Sequence, residues 1–402
     1  MLEYVLFALA GCGIGVVTGL IPGLHINTVA VLGFGLYLSL GLDPVEFVVI
    51  LTAASVTHAF LDFIPAIFLG APEEDTALSV LPAHRLFMQG RGFEAVKLTA
   101  LGSLLGLGTS IILLAPAFYV IPWIYHASRS FIAYVLIVAV IFLVLNEKSL
   151  RRVKWAALIF LLSGWLGVVV LDSQRILSTT DVLFPVFAGL FGISTLLDSL
   201  KGRTAAVPQE EYIRVGVERR YVGAGFLGTL CGALIGILPA ISPSQLGALV
   251  SDRAKFDTKN FLVFLSAINT SDSVYSLLAL FTIQNPRSGV GVIVGKVLDV
   301  DLNTVLLLVG VMAFSASVAT ILHIEAGRRM ARLVGRIDYR KLCMGSLLTI
   351  ISLIAVFTGG FGLALAILCM IIGTLPILLG VSRTHLMGVL LLPTILFFLG
   401  AG

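Results

Sequence analysis

Two apolar stretches decide the fold of this chain. Residues 11–32 read GCGIGVVTGLIPGLHINTVAVL, and residues 228–249 read GTLCGALIGILPAISPSQLGAL. A second aligned stretch begins at Asp43 and Asp257 and continues until a proline of each copy coincides. Internal similarity of this kind is typical of folds that contain two copies of one unit. The coinciding landmarks are Gly11 with Gly228, Gly15 with Gly232, Gly19 with Gly236, Pro22 with Pro239, and Pro72 with Pro286.

The composition places these stretches in a membrane. Of 402 residues, 58% are hydrophobic and 12% are charged, whereas soluble domains have about 45–50% apolar and about 25% charged residues. Because a crossing helix needs about 20 apolar residues, we expect an all-α polytopic membrane protein with about 10 to 14 membrane segments. The amino terminus, MLEYVLFALAGCGIGVV, has no basic region of a signal peptide, so we expect the first helix to be retained.

Loop charge indicates that the two copies have opposite orientations. Cytoplasmic loops of membrane proteins are enriched in Lys and Arg. The loop 39–46 has no basic residue, whereas its counterpart 251–260 has Arg253, Lys255 and Lys259. In the next pair of loops the bias is reversed, because 82–97 is basic and 296–303 is acidic on balance. The alternation predicts two inverted-topology repeats.

One polar segment, 201–220, divides the chain and is expected to be a cytoplasmic connector between the repeats 1–200 and 221–402. The basic stretch 326–341 is expected on the same side. In the second repeat, 221–250 is too short for two full crossings at about 1.5 Å per residue. Each repeat is therefore expected to contain a re-entrant-type helical hairpin and a broken transmembrane helix.

Polar side chains cluster at the predicted breaks. Oxygens of unwound backbone, Asn, Ser and Thr suit Na⁺, and the amino termini of half-helices suit an anion. The predicted substrate-binding residues at the hairpin tips are His25, Asn27, Thr28, Ser242, Ser244 and Gln245. The predicted ion-coupling residues on the broken helices are Ser55, Thr57, His58, Asp62, Asn269, Thr270, Ser271 and Asp272.

The same residue types also have structural interpretations. Small residues four apart let helices approach closely, prolines kink helices, and a single Asn, Ser or Thr in a membrane often makes an interhelical hydrogen bond. An ionisable group at membrane depth favours function. His58 and Asp62 share one helical face, so proton handling by His58 with Asp62 or Asp272 is one expectation.

Other charged residues are expected to be structural. Glu73, Glu74 and Asp75 follow a helix-breaking proline, where a solvated helix cap is favoured over a cation site. Arg383 and His385 lie between apolar runs and are expected to be interfacial anchors. The cysteines have neither CxxC spacing nor a paired His, so we expect buried free thiols and no metal site. They are Cys12, Cys231, Cys343 and Cys369.

The glycine run ending in TGLIPGLHINT, with FLGAPEEDTALSVLPAHRLFMQGRGFEAVKLTALG, resembles the large permease subunit (TctA-like) of the tripartite tricarboxylate transporters, particularly its shorter archaeal members. The resemblance implies a cation-coupled permease for carboxylates in a prokaryotic cytoplasmic membrane. In bacteria such a permease is joined to a small membrane subunit and supplied by a periplasmic binding protein. The matching residues are Gly15, Gly19, Pro22 and Gly23, then Gly70, Pro72 and Thr76, then Gln89 and Gly90.

The expected function is secondary active transport of a small organic anion, such as a carboxylate, by alternating access. The alternative is a translocase (flippase) for a lipid-linked phosphate that uses the same inverted hairpins. An intramembrane hydrolase is disfavoured because the chain lacks metal or nucleophile signatures, so no enzyme is expected. No cofactor is expected apart from Na⁺ or H⁺ as coupling ion. The expected partners are membrane lipid and the organic anion; a homodimer and accessory or substrate-binding subunits stay open, and nucleic acid is not expected.

Overall fold

The computed structural model describes most of the chain. The described residues are 2–21, 26–27, 29–30, 33–34, 37, 41–69, 76, 80–128, 131–172, 179–200, 208–236, 243, 246–247, 250, 254–284, 286, 288–334, 336 and 339–400. Within these ranges every regular element is helical, as the composition predicts.

The helices before the connector include a π-helical segment, Ala188–Ile193. Its α-helical neighbours are α9 (Thr179–Phe187) and α10 (Ser194–Ser199). The helices that precede them are α1 (Leu2–Leu20), α2 (Pro44–Leu61), α3 (Phe63–Phe68), α4 (Val80–Met88), α5 (Gly92–Ile112), α6 (Leu114–Ser128), α7 (Ile132–Leu145) and α8 (Leu150–Asp172).

After the connector, one helical stretch is interrupted at Gly359, whose φ of 63° and ψ of −158° are not helical. The sequence predicts two separate spans on either side of this glycine. The helices of this half are α11 (Arg219–Ile235), α12 (Thr258–Ile283), α13 (Gly289–Val297), α14 (Leu302–Val334), α15 (Tyr339–Leu379), a 3₁₀ helix (Arg383–Met387) and α16 (Gly388–Phe398).

Several of these helices can cross a membrane. Within the described ranges, seven helices are long and apolar enough to do so. Two further helices, Leu114–Ala127 and Ile132–Leu145, meet at an 87° bend. If this bent pair counts as one span, the number of spans rises to eight. The larger expected number, about 10 to 14 segments, stays a prediction. The seven are Leu2–Leu20, Pro44–Phe68, Gly92–Ile112, Leu150–Val170, Thr258–Ile283, Leu302–Val334 and Cys343–Leu379.

Aspartates in matching positions begin α2 and α12. The Asp43 carboxylate accepts a hydrogen bond from the backbone N of Val45 (2.9 Å), and Glu46 reciprocates at the Asp43 backbone N (3.1 Å). The Asp257 carboxylate accepts from the backbone N of Asn260 (2.7 Å). Such caps satisfy amides that the first helical turn leaves without a partner. The aligned aspartates therefore fix equivalent helix starts.

The glycines of α1 lie directly on the backbone of α2. A Cβ atom added at Gly15 would lie 2.6 Å from the carbonyl oxygen of Ala54, which is closer than any side chain tolerates. In the second half, a Cβ atom at Gly228 of α11 would likewise lie 2.6 Å from the carbonyl oxygen of Phe264 in α12. Glycine is required at these positions because the two backbones touch.

The two helix pairs repeat the same contacts. Each contacted residue of α12 is numbered 214 higher than its counterpart in α2. The glycines and their contacts are Gly11 with Ile50, Gly15 with Ala54, and Gly19 with Leu61 in one pair, and Gly228 with Phe264, Gly232 with Ile268, and Gly236 with Tyr275 in the other.

Each pair is completed by a helix of the other half. Helix α5 packs on α12 and α11, where Gly102 and Gly106 lie on the backbone of Val263 and Ala267. Helix α14 packs in the same way on α2 and α1. We call α1, α2 and α14 the first helix group, and α5, α11 and α12 the second helix group.

Helices α2 and α12 run in opposite directions. The end of α3, which continues α2, lies at the start of α5, because a Cβ atom at Gly92 would be 2.8 Å from Cε1 of Phe68. The start of α12 lies there too, because the Lys259 Nζ atom is 2.7 Å from the Glu94 Oε1 atom. One end of α2–α3 therefore adjoins the opposite end of α12.

Arg383 and His385, which are expected to be interfacial anchors, also bind other helices. The Arg383 guanidinium donates to the carbonyl oxygens of Leu190 (2.9 Å) and Phe191 (3.0 Å) in the π-helix and to the Ser194 hydroxyl (2.7 Å). His385 is 2% exposed, and its Nε2 atom lies 3.0 Å from Oε1 of Glu147. Both residues therefore connect helices, and their role as anchors stays a prediction.

Replacing Gly15 with valine should destabilise the protein, because the added side chain must displace the backbone of α2. We expect a loss of about 1–3 kcal/mol, as is usual for overpacking. Gly13→Val is the matched control, because an added Cβ atom at Gly13 meets no atom within 4 Å. Thermal unfolding of both variants in detergent measures the effect, and equal midpoints would contradict the packing argument.

Candidate functional site

The crossing of α2 and α12 brings a carboxylate of the first half to an amide of the second. The Asn269 Nδ2 atom donates to the Ala59 carbonyl oxygen (3.3 Å) and to Oδ2 of Asp62 (3.4 Å). Asn269 is 5% exposed and Asp62 is 3% exposed. Ionisable side chains at membrane depth cost about 2.5–3.5 kcal/mol on insertion scales, so a buried aspartate needs such donors.

Asp62 occupies the joint between α2 and α3. Its backbone N donates to the His58 carbonyl oxygen (2.9 Å), and its φ and ψ of −61° and −22° keep the chain nearly helical. Pro65 follows, and because proline has no N–H it cannot donate to the Leu61 carbonyl oxygen. The break therefore places a carboxylate beside a carbonyl without its normal helical donor. Both groups are oxygen ligands that hard cations prefer.

His58 lies one turn before Asp62 and connects α2 to α1. The His58 Nδ1 atom lies 3.1 Å from the Thr18 hydroxyl, which itself donates to the Gly15 carbonyl oxygen (3.2 Å). Because a hydroxyl has one proton, His58 is the donor in this contact. The contact gives His58 a structural partner beside the candidate site.

Two other predicted ion-coupling residues face the glycine helices rather than the crossing. Thr57 lies against Gly15 of α1, and Ser271 lies against Gly232 of α11. The Ser271 hydroxyl donates to the Ala267 carbonyl oxygen of its own helix (2.6 Å). These contacts match the structural interpretation of hydroxyls in membrane helices.

The remaining predicted ion-coupling residues lie on the same two helices. Thr270 is 1% exposed, and its hydroxyl makes no hydrogen bond to any residue that the structure describes. Ser55 and Asp272 are partly buried. The structure therefore brings Asp62 and Asn269 into contact and places the others within about two helical turns of one of them along the chain.

Of the predicted tip residues, Asn27 lies within the described part of the chain. Its Oδ1 atom accepts a hydrogen bond from the backbone N of Val290 (3.2 Å), at the start of α13. Ser288 caps this helix by accepting from the Gly291 backbone N (3.0 Å), and Ser276 donates to Ser288 (3.1 Å). A tip residue of the first half thus contacts a helix amino terminus of the second half. His25, Thr28, Ser242, Ser244 and Gln245, like Glu73, Glu74 and Asp75, lie outside the described residues.

Segments predicted to be cytoplasmic meet on one face. The Glu94 side chain is 5% exposed and pairs with Lys259 (2.7 Å) and Arg91 (2.6 Å). From the connector, Glu211 pairs with Arg332 (2.8 Å) at the end of α14. The side chain of Gln209 accepts from the Gly92 backbone N (2.9 Å). The basic loops and the connector therefore share a face, as their charge predicts.

His323, a fully buried histidine of α14, was not among the predicted site residues. Its Nε2 atom lies 3.1 Å from the Val96 carbonyl oxygen and 3.1 Å from the Thr99 hydroxyl, both in α5. A single ionisable residue within an apolar helix was the available signal. The predicted site residues all lie in the aligned stretches of the two halves, and His323 lies outside them.

Comparison with known proteins identifies the family. The sequence profile of the tripartite tricarboxylate transporter TctA family matches residues 5–388. The chain belongs to the TctA family. The uncharacterized protein MJ1079 of Methanocaldococcus jannaschii is 30% identical over 405 residues, which cover 98% of each chain. No solved structure matches the chain.

Membership in the TctA family confirms the resemblance seen in the sequence. TctA is a transporter family, and the chain is a multi-pass protein of the cytoplasmic membrane with several apolar helices that can span it. The family name describes a component of a tripartite transporter. The polar contacts between the two halves are therefore contacts within a transporter.

Replacing the buried Glu94 with glutamine should destabilise this TctA protein, because Lys259 and Arg91 lose their shared carboxylate. We expect a loss of about 1–3 kcal/mol, since the two cations are themselves partly exposed. Glu325→Gln is the matched control, because Glu325 pairs with Arg328 and Arg329 on the surface. Unfolding temperature at low and high salt measures both, and a smaller loss for Glu94→Gln than for Glu325→Gln would contradict the assignment.

Proposed function

We propose that the protein is a secondary active permease that couples uptake of a small organic anion, such as a carboxylate, to a cation by alternating access. Membership in the TctA family supports the transport role. The observation that carries the coupling is the contact between Asp62 and Asn269, two buried polar side chains of helices from opposite halves. Transport requires such a site at the interface between two bodies.

Asp62 is the group on which the coupling cation acts in this proposal. The cation, Na⁺ or H⁺, neutralises the carboxylate, with oxygens of the nearby backbone and the Asn269 side chain as further ligands for Na⁺. A negative charge in this position is costly without a cation. Binding of the cation therefore changes the contact between α2 and α12, which links the ion to the arrangement of the two helix groups.

The anion is placed near the tip residue Asn27 and the amino terminus of α13. The Val290 and Gly291 amides there donate to Asn27 and Ser288, so the anion would replace these acceptors, and the positive dipole end of the helix favours its negative charge. Ser276 and Ser288 supply hydroxyls beside this terminus. His25, Thr28, Ser242, Ser244 and Gln245 remain predicted members of the same substrate site.

The two halves are proposed to be inverted repeats in the membrane. The glycine contacts support the repeat, because each contacted residue of α12 is numbered 214 higher than its counterpart in α2. The opposite directions of α2 and α12, and the alternating loop charge, support the inversion. Re-entrant hairpins at the two tips belong to the same proposal, since half-helices that enter from both faces give one central site.

The proposed function also includes partner subunits and a soluble substrate. Because the family name is that of a tripartite transporter, we expect the permease to work with other subunits. A homodimer remains a prediction. The alternative, a translocase for a lipid-linked phosphate, is not favoured, since the family is named for transport of tricarboxylates and not of lipids.

Purified protein in proteoliposomes should accumulate a labelled carboxylate when an inward Na⁺ or H⁺ gradient is applied. Accumulation should cease when the gradient is dissipated, because the proposed cycle has no other energy source. A panel of mono-, di- and tricarboxylates is tested with each ion separately. Absence of gradient-driven uptake for every member of the panel, both with the permease alone and with its partner subunits added, would overturn the proposed function.

Two variants test the cation site and the anion site separately, Asn269→Ala and Asn27→Ala. The control is Asn303→Ala, at an exposed position. Loss of the Asn269 contact to Asp62 should raise the cation concentration for half-maximal uptake about tenfold. Asn27→Ala should instead raise the carboxylate concentration that is needed. Folded yield is measured for each variant, and parallel loss of yield and cation dependence would indicate a scaffold role.

Inversion predicts that the starts of α2 and α12 face opposite compartments. Single cysteines at Leu42→Cys and Ala254→Cys are labelled with a membrane-impermeant maleimide in intact cells and in inverted vesicles. Tyr212→Cys in the connector, where Tyr212 is 91% exposed, reports the cytoplasmic side. Ala254→Cys should behave like Tyr212→Cys and Leu42→Cys should not; identical behaviour of all three would refute the inversion.

A further inference from the structure

His323 joins the two helix groups at a second place, away from Asp62 and Asn269. It lies on α14 of the first helix group, and its Nε2 atom faces the Val96 carbonyl oxygen and the Thr99 hydroxyl on α5 of the second. One turn later, a Cβ atom at Gly327 would lie 2.5 Å from a methyl group of Val96. The histidine is therefore held in a close contact between the groups.

The contacts of His323 determine where its proton lies. A carbonyl oxygen only accepts, and the Thr99 hydroxyl already donates to the carbonyl oxygens of Ala95 (3.1 Å) and Val96 (3.0 Å). The Nε2 atom is consequently the donor. The Nδ1 atom makes no hydrogen bond to any residue that the structure describes. These neighbours are uncharged.

The helices packed against α14 are α1, α2, α3, α5 and α12. In the described part of the chain none of their ionisable side chains forms an ion pair or hydrogen bond with His323. Those side chains are Glu3, Tyr4 and Cys12 on α1, Glu46, His58 and the adjoining Asp62 on α2, Glu94 and Lys97 on α5, and Lys259, Asp272 and Tyr275 on α12.

A charged imidazolium in this fully buried position would have no counter-charge among the residues that the structure describes. Such a group is costly to bury, so the closed contact between α14 and α5 selects the neutral ring. When the two helix groups separate, water reaches the ring, and an ordinary histidine takes up a proton near neutral pH. Proton uptake therefore stabilises the separated arrangement relative to the closed one.

We infer that His323 is a positioning residue of the transport cycle, which closes the α5–α14 contact when neutral and releases it when hydrated and protonated. The inference rests on the proposed function, because it assigns the two helix groups as the bodies that move in alternating access. Its linkage is reciprocal: acid favours separation, and separation favours proton binding.

A cysteine at Ala319 tests the inference directly. Ala319 is fully buried, one helical turn before His323, and so becomes reactive only when the contact opens. In protein that retains His323, labelling of Ala319→Cys by a water-soluble thiol reagent should rise about fivefold or more between pH 7.5 and 5.5. The labelling rate of an exposed control cysteine, Tyr212→Cys, is measured at the same pH values. It corrects for the change of thiol ionisation with pH.

His323→Gln keeps an N–H donor for Val96 but cannot titrate, so in that background the labelling should no longer depend on pH. His126→Gln, at an exposed position on α6, should retain the full response. Should His323→Gln fail to fold, Thr99→Val provides the second test. It removes a polar neighbour but leaves the ring titratable, so it should increase labelling at pH 7.5 and keep the rise in acid.

Three outcomes would overturn the inference: no rise in acid with His323 present, the same rise in His323→Gln, or unchanged labelling in Thr99→Val. None of these measurements requires substrate, so their result is independent of the uptake assay. If the wild-type protein transports and the His323→Gln variant transports with the same pH profile, the proposed function stands and the role of His323 is removed.

Discussion

Backbone contact at glycine is the constraint on which the rest of this structure depends. Lipid offers no hydrophobic driving force between apolar helices, so close packing has to hold them together. The glycines of α1 and α11 let each helix lie directly on the carbonyl groups of α2 and α12. On α2 and α12, which are held in this way, Asp62 and Asn269 meet where the two helices cross.

The polar contacts between the halves lie on this rigid frame. Asp62 and Asn269 meet at the crossing, His323 closes the α5–α14 contact, and Asn27 reaches the start of α13. Each of these contacts joins residues that are far apart in the chain, and each replaces water that the membrane interior does not supply. A transporter must change some such contacts during its cycle, and these are few enough to be tested singly.

Much of this arrangement could be predicted from the sequence. Glycine spacing predicted faces for close helix packing, because a repeat of four places small residues on one face, but not which helix would pack there. Loop charge predicted which segments share a face, as the pairs of Glu94 with Lys259 and Glu211 with Arg332 agree. The contact of Asp62 with Asn269 could not be predicted, because its register depends on the exchange of α5 and α14 between the halves. The inward role of Arg383 was likewise hidden, since it depends on carbonyl groups of a π-helix.

Helices α5 and α14 each pack on helices of the other half, and this arrangement constrains the order in which the chain can assemble. Helix α2 enters the membrane early, yet α14, the helix that completes its group, is synthesised only after the connector, α11, α12 and α13. Until α11 and α12 are made, α5 has no helix of its own group to pack against, and until α14 is made, α1 and α2 lack their third helix. Both helix groups therefore need helices of the second half, so the packing of the first half has to follow its insertion.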